Sequence, residues 1–175
     1  MTHADLRARA RHPEVSVRIT VAQDPRCPPE LLAELAYDPD SRVVSEVALN
    51  PNTPESTLVM LAKYPLDVVR GNVAENPNCP HAAYKILAKD PEKWVREKVA
   101  RRAPYIDVLC EIARNDDWWV RKNILSNLNA PPLIIAAVVS KAFWGAGEKL
   151  YDVVRLLKLK EEKRKEILTI LAFVR

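Results

Sequence analysis

PELLAELAYDPDSRVVSEVALNPNT, residues 29–53, is followed by PESTLVMLAKYPLDVVRGNVAENPNC (54–79) and PHAAYKILAKDPEKWVREKVARRA (80–103). Leu35-Ala36 returns as Leu61-Ala62 and Leu87-Ala88, a step of 26 residues each time. Pro39 returns as Pro65 and Pro91, and Val47-Ala48 as Val73-Ala74 and Val99-Ala100. Self-similarity at a fixed step of this size marks a stacked-repeat architecture.

Each unit carries two apolar segments. Leu31 to Ala36 has apolar residues at helical spacing, and Val43 and Val47 lie four apart, which gives the second segment one apolar face. Asp38-Pro39-Asp40 and Asn50-Pro51-Asn52 separate them. Asx-Pro-Asx predicts a tight turn, because the first side chain caps it and proline presets φ. At Thr53-Pro54, threonine is expected to cap a helix whose first position is the proline. The expected unit is therefore helix, turn, helix, turn. A leucine-rich repeat is excluded, since it needs an alternating L-x-L strand segment, and none occurs within these repeats. Helices this short are not stable alone in water, so stacking has to bury their apolar columns. The expected columns are Leu32/Leu58/Tyr84/Leu109, Leu35/Leu61/Leu87/Ile112, Val43/Val69/Val95/Val120 and Val47/Val73/Val99/Ile124. The last member of each column assumes one residue lost after Ala100.

The expected fold is all-α: an α-solenoid of short helix-turn-helix repeats in a single domain over 1–175. The units fall at about 2–27, 28–53, 54–79, 80–104 and 105–129. Thr2 opens a polar first unit with three arginines in its helix, as a capping repeat requires. The fifth unit is degraded: Ala103-Pro104 replaces a turn, and Asp117 stands where Pro91 stood. Beyond Pro131-Pro132 the pattern changes. Apolar helices are expected over Leu133 to Trp144, Leu150 to Leu157 and Ile167 to Val174, together a C-terminal helical cap over 130–175.

The composition is ordinary for a globular chain, with 48% hydrophobic and 29% charged residues. Three glycines and 14 prolines suit short helices closed by proline turns. The longest apolar run, Leu133 to Val139, is too short to span a membrane. The arginine-rich start lacks the apolar core of a signal peptide, and a cytoplasmic location is the expectation. Charge is uneven. Residues 1–92 carry 10 Lys/Arg and 13 Asp/Glu, net −3, whereas 93–175 carry 17 and 10, net +7. Trp118 to Gly147 contains no acid.

The pattern V-R-x-x-V-A-x-N-P-x-x-P-x-x-x-L-x-x-L-A-x-D-P resembles the leucine-rich repeat variant family over about residues 2–129. Asp90-Pro91, Val95-Arg96 and Val99-Ala100 also look like the second half of a HEAT repeat. The resemblance implies a right-handed superhelical stack, in that family alternating α and 3₁₀ helices. One type of variant-repeat protein holds an iron–sulfur centre on an N-terminal cysteine cluster. Cys27, Cys79 and Cys110 are too dispersed to supply the four thiolates such a cluster needs, so no cofactor is expected.

No nucleophile–base motif, metal-ligand spacing or glycine-rich phosphate loop is present, so the chain is expected not to be an enzyme. Arg18, Arg70, Arg96 and Arg121 recur in one column and Asp38, Asp90 and Asp116 in another. They read as a ladder tying adjacent units; the alternative is a phosphate-binding stripe. Trp94, Trp118 and Trp119 deviate from the repeat beside Arg96, Arg121 and Lys122. Aromatics next to cations anchor partner proteins or stack on bases. The expected partner-binding residues are Trp94, Arg96, Trp118, Arg121 and Lys122, the partner a protein, with neither membrane nor metal involved. Nucleic-acid binding through the basic half is the alternative. A looser resemblance, to HEAT-like alkylpurine DNA glycosylases, rests on the tryptophans beside Asp116 and Asp117 and makes base excision a third reading.

Overall fold

The turns set the architecture of the computed structural model, which describes residues 2–132, 134–136, 138 and 165. In each Asx-Pro turn the first side chain accepts from the amide two residues on. Asp38 Oδ1 takes Asp40 N at 2.9 Å, Asn50 Oδ1 takes Asn52 N at 2.9 Å, and Asn76 Oδ1 takes Asn78 N at 2.8 Å. These closures cut the chain into short helices. They are α1 (His3–Ala10), α2 (Val15–Gln23), α3 (Pro29–Leu35), α4 (Ser41–Leu49), α5 (Glu55–Leu61), α6 (Asp67–Glu75), α7 (His81–Leu87), α8 (Lys93–Arg102), α9 (Ile106–Asn115) and α10 (Trp118–Arg121). A 3₁₀ turn, Lys122–Ser126, follows α10. Every described residue in regular structure is helical. The alternation of α and 3₁₀ helices that the family resemblance implies is not seen: α1 to α8 are all α-helical.

The chain forms two compact units, Met1–Val95 and Arg96–Arg175, and the boundary falls inside α8. In the first unit α2, α4 and α6 pack side by side, α1 packs on α3, and α5 on α7. Leu32, Leu58, Val43, Val73 and Leu87 are fully buried there, and Leu35 and Tyr84 nearly so. The expected columns therefore do form the core of this unit. Burying side chains of this size contributes about 1.5–3 kcal/mol each. In the second unit Val99, Leu109, Ile112, Val120 and Ile124 are fully buried.

Thr2 accepts from Asp5 N at 3.2 Å while Asp5 Oδ2 takes Thr2 N at 2.9 Å, a reciprocal cap on α1. That backbone bond, with the threonine hydroxyl, holds the Asp5 carboxyl below its usual range. The later first helices begin differently. The caps of α3, α5 and α7 are Pro28, Pro54 and Pro80, with no side-chain hydrogen bond. Thr53 does not cap α5, because its hydroxyl donates back to the Val47 carbonyl instead. Thr53, Cys27 and Cys79 share this buried slot, which demands a small residue rather than a capping oxygen.

The cap expected over 130–175, with its three helices, lies almost wholly outside the described residues. Among the described residues no helix is long and apolar enough to cross a membrane.

Candidate partner-binding site

Two polar ladders hold the layers, and they use different chemistry at the two kinds of turn. At the turn between the helices of a unit the anchor is aspartate. Arg18 Nε and Nη2 donate to Asp38 at 2.6 and 2.9 Å, and Arg70 meets Asp90 at the same distances. Arg96 Nε donates to both oxygens of Asp116, at 2.8 and 3.1 Å. Nη1 of Arg18 and of Arg70 ties down the carbonyls of its own turn, His12 and Pro13 or Tyr64 and Pro65. A forked, charge-assisted pair of this kind is stronger and more directional than a neutral bond. Burial pushes the Asp38 carboxyl up, but the Arg18 guanidinium and the Asp40 amide outweigh it, leaving the group below the usual carboxylate range. The arginines are thus structural ties between neighbouring helix pairs.

At the other turn the anchor is asparagine, whose amide both accepts and donates. Asn50 Nδ2 donates to the carbonyls of Ala22 and Asp24, at 2.6 and 3.0 Å. Asn76 does the same to Ala48 and Asn50, at 2.8 and 2.9 Å. Asn127 reaches Ala100 and Ala103 at 2.9 and 2.8 Å. These bonds satisfy carbonyls at the C-terminal ends of preceding helices, which have no partner within their own helix. The first repeat, about 2–27, has Asp24 at this position, paired with Arg26 at 2.9 Å. Reading the Asx residues only as turn formers missed the asparagine ladder. The signal was present in the amides at 50, 76 and 127, against carboxylates at 38, 90 and 116.

Of the expected partner-binding residues, Trp94 belongs to the first unit. Its Nε1 donates to Asp67 at 3.0 Å, and its ring lies so close to α6 that a Cβ at Gly71 would stand 2.4 Å from Cη2 and Cζ3. Only glycine leaves room for the ring. Arg96 is engaged by Asp116. Trp118, Arg121 and Lys122 lie together on α10 and its 3₁₀ continuation in the second unit.

There Asp117 caps α10, accepting from Val120 N at 3.1 Å. Val120 is buried, which fixes the roll of the helix. Trp118 is half-buried and Trp119 is 58% exposed. Lys122 Nζ sits 4.1 Å from the Trp119 ring centroid, a cation–π arrangement. Asn123 holds the backbone, donating to the Trp119 carbonyl at 2.9 Å and accepting from Arg101 Nη2 at 2.8 Å. Arg121 is only 8% exposed, and its Nε and Nη1 have no hydrogen-bond partner among the described residues. Leu128 nearby in sequence is 91% exposed. Trp119, absent from the expected set, is the more exposed of the two tryptophans on α10. Of the equivalent places, Arg42 and Val68 are exposed in their own unit, whereas Trp94 is half-buried.

Residues 16–40 match the leucine rich repeat variant family. The matched leucine rich repeat variant segment contains all of the Arg18–Asp38 tie, the turn at Asp24 and helix α3. No curated protein and no solved structure matches the chain. Among the described residues no group of three or more His, Cys, Asp or Glu could hold a metal ion.

Proposed function

We propose that the chain is a non-catalytic repeat scaffold that binds a protein partner through the surface around α10. In this reading the units form a right-handed α-solenoid with a 26-residue period, closed by a C-terminal helical cap, and the protein works in the cytoplasm. The observation that carries the binding assignment is the exposed Trp119 stacked with Lys122 beside the buried Arg121. Exposed tryptophan next to arginine is the composition that dominates interface energetics. The leucine rich repeat variant match supports a scaffold role, and the engagement of Asp116 by Arg96 and of Asp117 in capping α10 supports a non-catalytic one.

Photocrosslinking tests this. With p-benzoylphenylalanine at position 119 the expected product in cells is a discrete protein adduct, absent with the same group at position 42. Equal adducts from both positions, or none, would remove the assignment. A second reading, nucleic-acid binding, is favoured by the net charge of +7 over residues 93–175 and by the same Trp119–Lys122 pair, which suits base stacking. It requires affinity that falls steeply with salt. No retention of single-stranded DNA or RNA at low salt would eliminate it.

A further inference from the structure

A cleft of about 180 Å³ lies between α1 and α3 in the first unit. Ala10, Leu31 and Leu35, all buried, give it an apolar base, and the exposed Arg11, Glu34 and Tyr37 border it. Asp38 also lines it, but Arg18 already holds that carboxylate. The bordering residues break the repeat. Where Tyr37 stands, the neighbouring units carry Arg11, Lys63 and Lys89. Where Glu34 stands, the two following units carry Met60 and Ile86. An aromatic thus replaces a cation, a carboxylate replaces an apolar side chain, and both replacements fall at this cleft. Tyr37 is 77% exposed, so packing does not account for it.

We propose that this cleft receives an arginine side chain of a protein partner, at a site separate from the surface around α10. The space is well below the roughly 300 Å³ at which cofactor and small-molecule pockets begin, so it suits a single long side chain. The methylenes of an arginine fit the base of Ala10, Leu31 and Leu35. Its planar guanidinium can stack on the Tyr37 ring and pair with the Glu34 carboxylate. Arg11 shows that the place accepts this group, since its Nη2 lies 3.6 Å from Glu34 Oε2. That contact is longer than the 2.6 and 2.9 Å of the Arg18–Asp38 tie, and both of its side chains are exposed. Such a pair contributes little to stability and yields readily to a competing guanidinium. Residues 1–92 carry a net charge of −3, which favours the approach of a basic segment.

The test titrates the full chain, labelled with ¹³C in its tyrosine rings, with the capped tripeptide N-acetyl-Gly-Arg-Gly-amide. The Tyr37 ring resonance, identified as the one missing in Tyr37→Leu, should shift saturably as the tripeptide is added. The same tripeptide with citrulline, which keeps the shape of arginine but not its charge, should leave the resonance in place. Glu34→Gln should weaken binding about threefold or more. Arg11→Ala, which removes the competing guanidinium, should tighten it. Absence of a saturable shift, or an equal response to the citrulline or lysine tripeptide, would overturn the proposal. So would tighter binding of free arginine than of the tripeptide, or unchanged binding in either variant.

Discussion

Asn76 donates to the carbonyl of Ala48, 28 residues earlier in the chain, at 2.8 Å. The same amide nitrogen reaches the Asn50 carbonyl at 2.9 Å, while the amide oxygen closes its own turn. One buried side chain therefore joins a turn to the end of the preceding helix. Removing it strips the Ala48 carbonyl and the Asn78 amide of their partner, and leaves the Asn50 carbonyl with the Thr53 amide alone. Asn76→Ala should lower unfolding stability by about 2–4 kcal/mol, read as the urea midpoint at unchanged slope. Asn76→Asp should be worse, because it turns a donor into a charge facing two carbonyl oxygens. Asn78→Ala, which loses one exposed bond to the Pro51 carbonyl, should cost well under half as much.

Gly71 and Trp94 make a pair whose coupling has a definite sign. Alanine at an ordinary helical glycine stabilises by up to about 1 kcal/mol. Here its Cβ would stand 2.4 Å from the Trp94 ring, which is itself held by Asp67. Gly71→Ala should thus destabilise the protein by about 1–3 kcal/mol. In a Trp94→Ala background the same change should stabilise it. A double-mutant cycle by thermal melting reads the reversal directly.

Acid should loosen the first unit. The Arg26 guanidinium and amide hold Asp24 down at about 2, and those of Arg42 hold Asp40 down at about 2. Asp38 is lowered too, despite its burial. Each carboxyl has a folded pKa below its unfolded value of about 3.9. Their contribution is therefore fully present above about pH 4 and is lost as pH falls toward 2. Melting temperature should drop across that window, with a shallower drop in Asp38→Asn. An unchanged profile in that variant would show that the Arg18 tie is not acid-sensitive.

Burial pushes the Cys27 thiol up to about 11 and the Cys79 thiol up to about 12. Thiolate is the reactive form, so both should be silent toward a thiol reagent at pH 8 in the folded protein. Cys110, which is less buried, should account for any rapid reaction. All three should react once urea unfolds the chain. Fast labelling of Cys79 in native protein would contradict its placement.

The regular part of the fold was legible because its causes are periodic. Leu58, Val73 and Leu87 are buried where the 26-residue step puts them, and the Asx-Pro turns close as their composition demands. The helix starts were read less well. Thr53 resembles a cap in sequence, but a slot walled on all sides decides its partner. The asparagine ladder stayed hidden because its acceptors are backbone carbonyls, which every residue has. On the candidate surface, Trp118 and Trp119 are equivalent by composition. The burial of Val120 and the cap at Asp117 set which ring faces outward.

The choice between Asp24 and its asparagine counterparts also encodes order. Asn50 and Asn76 each donate to the carbonyls of an earlier helix. Asp24 offers no donor to such carbonyls and is paired with Arg26 instead. A single oxygen-for-nitrogen exchange thus works as punctuation, deciding whether a turn can tie itself to a unit on its N-terminal side. Lengthening the protein by duplicating residues 28–53 should be tolerated after that mark, and duplicating 2–27 should not.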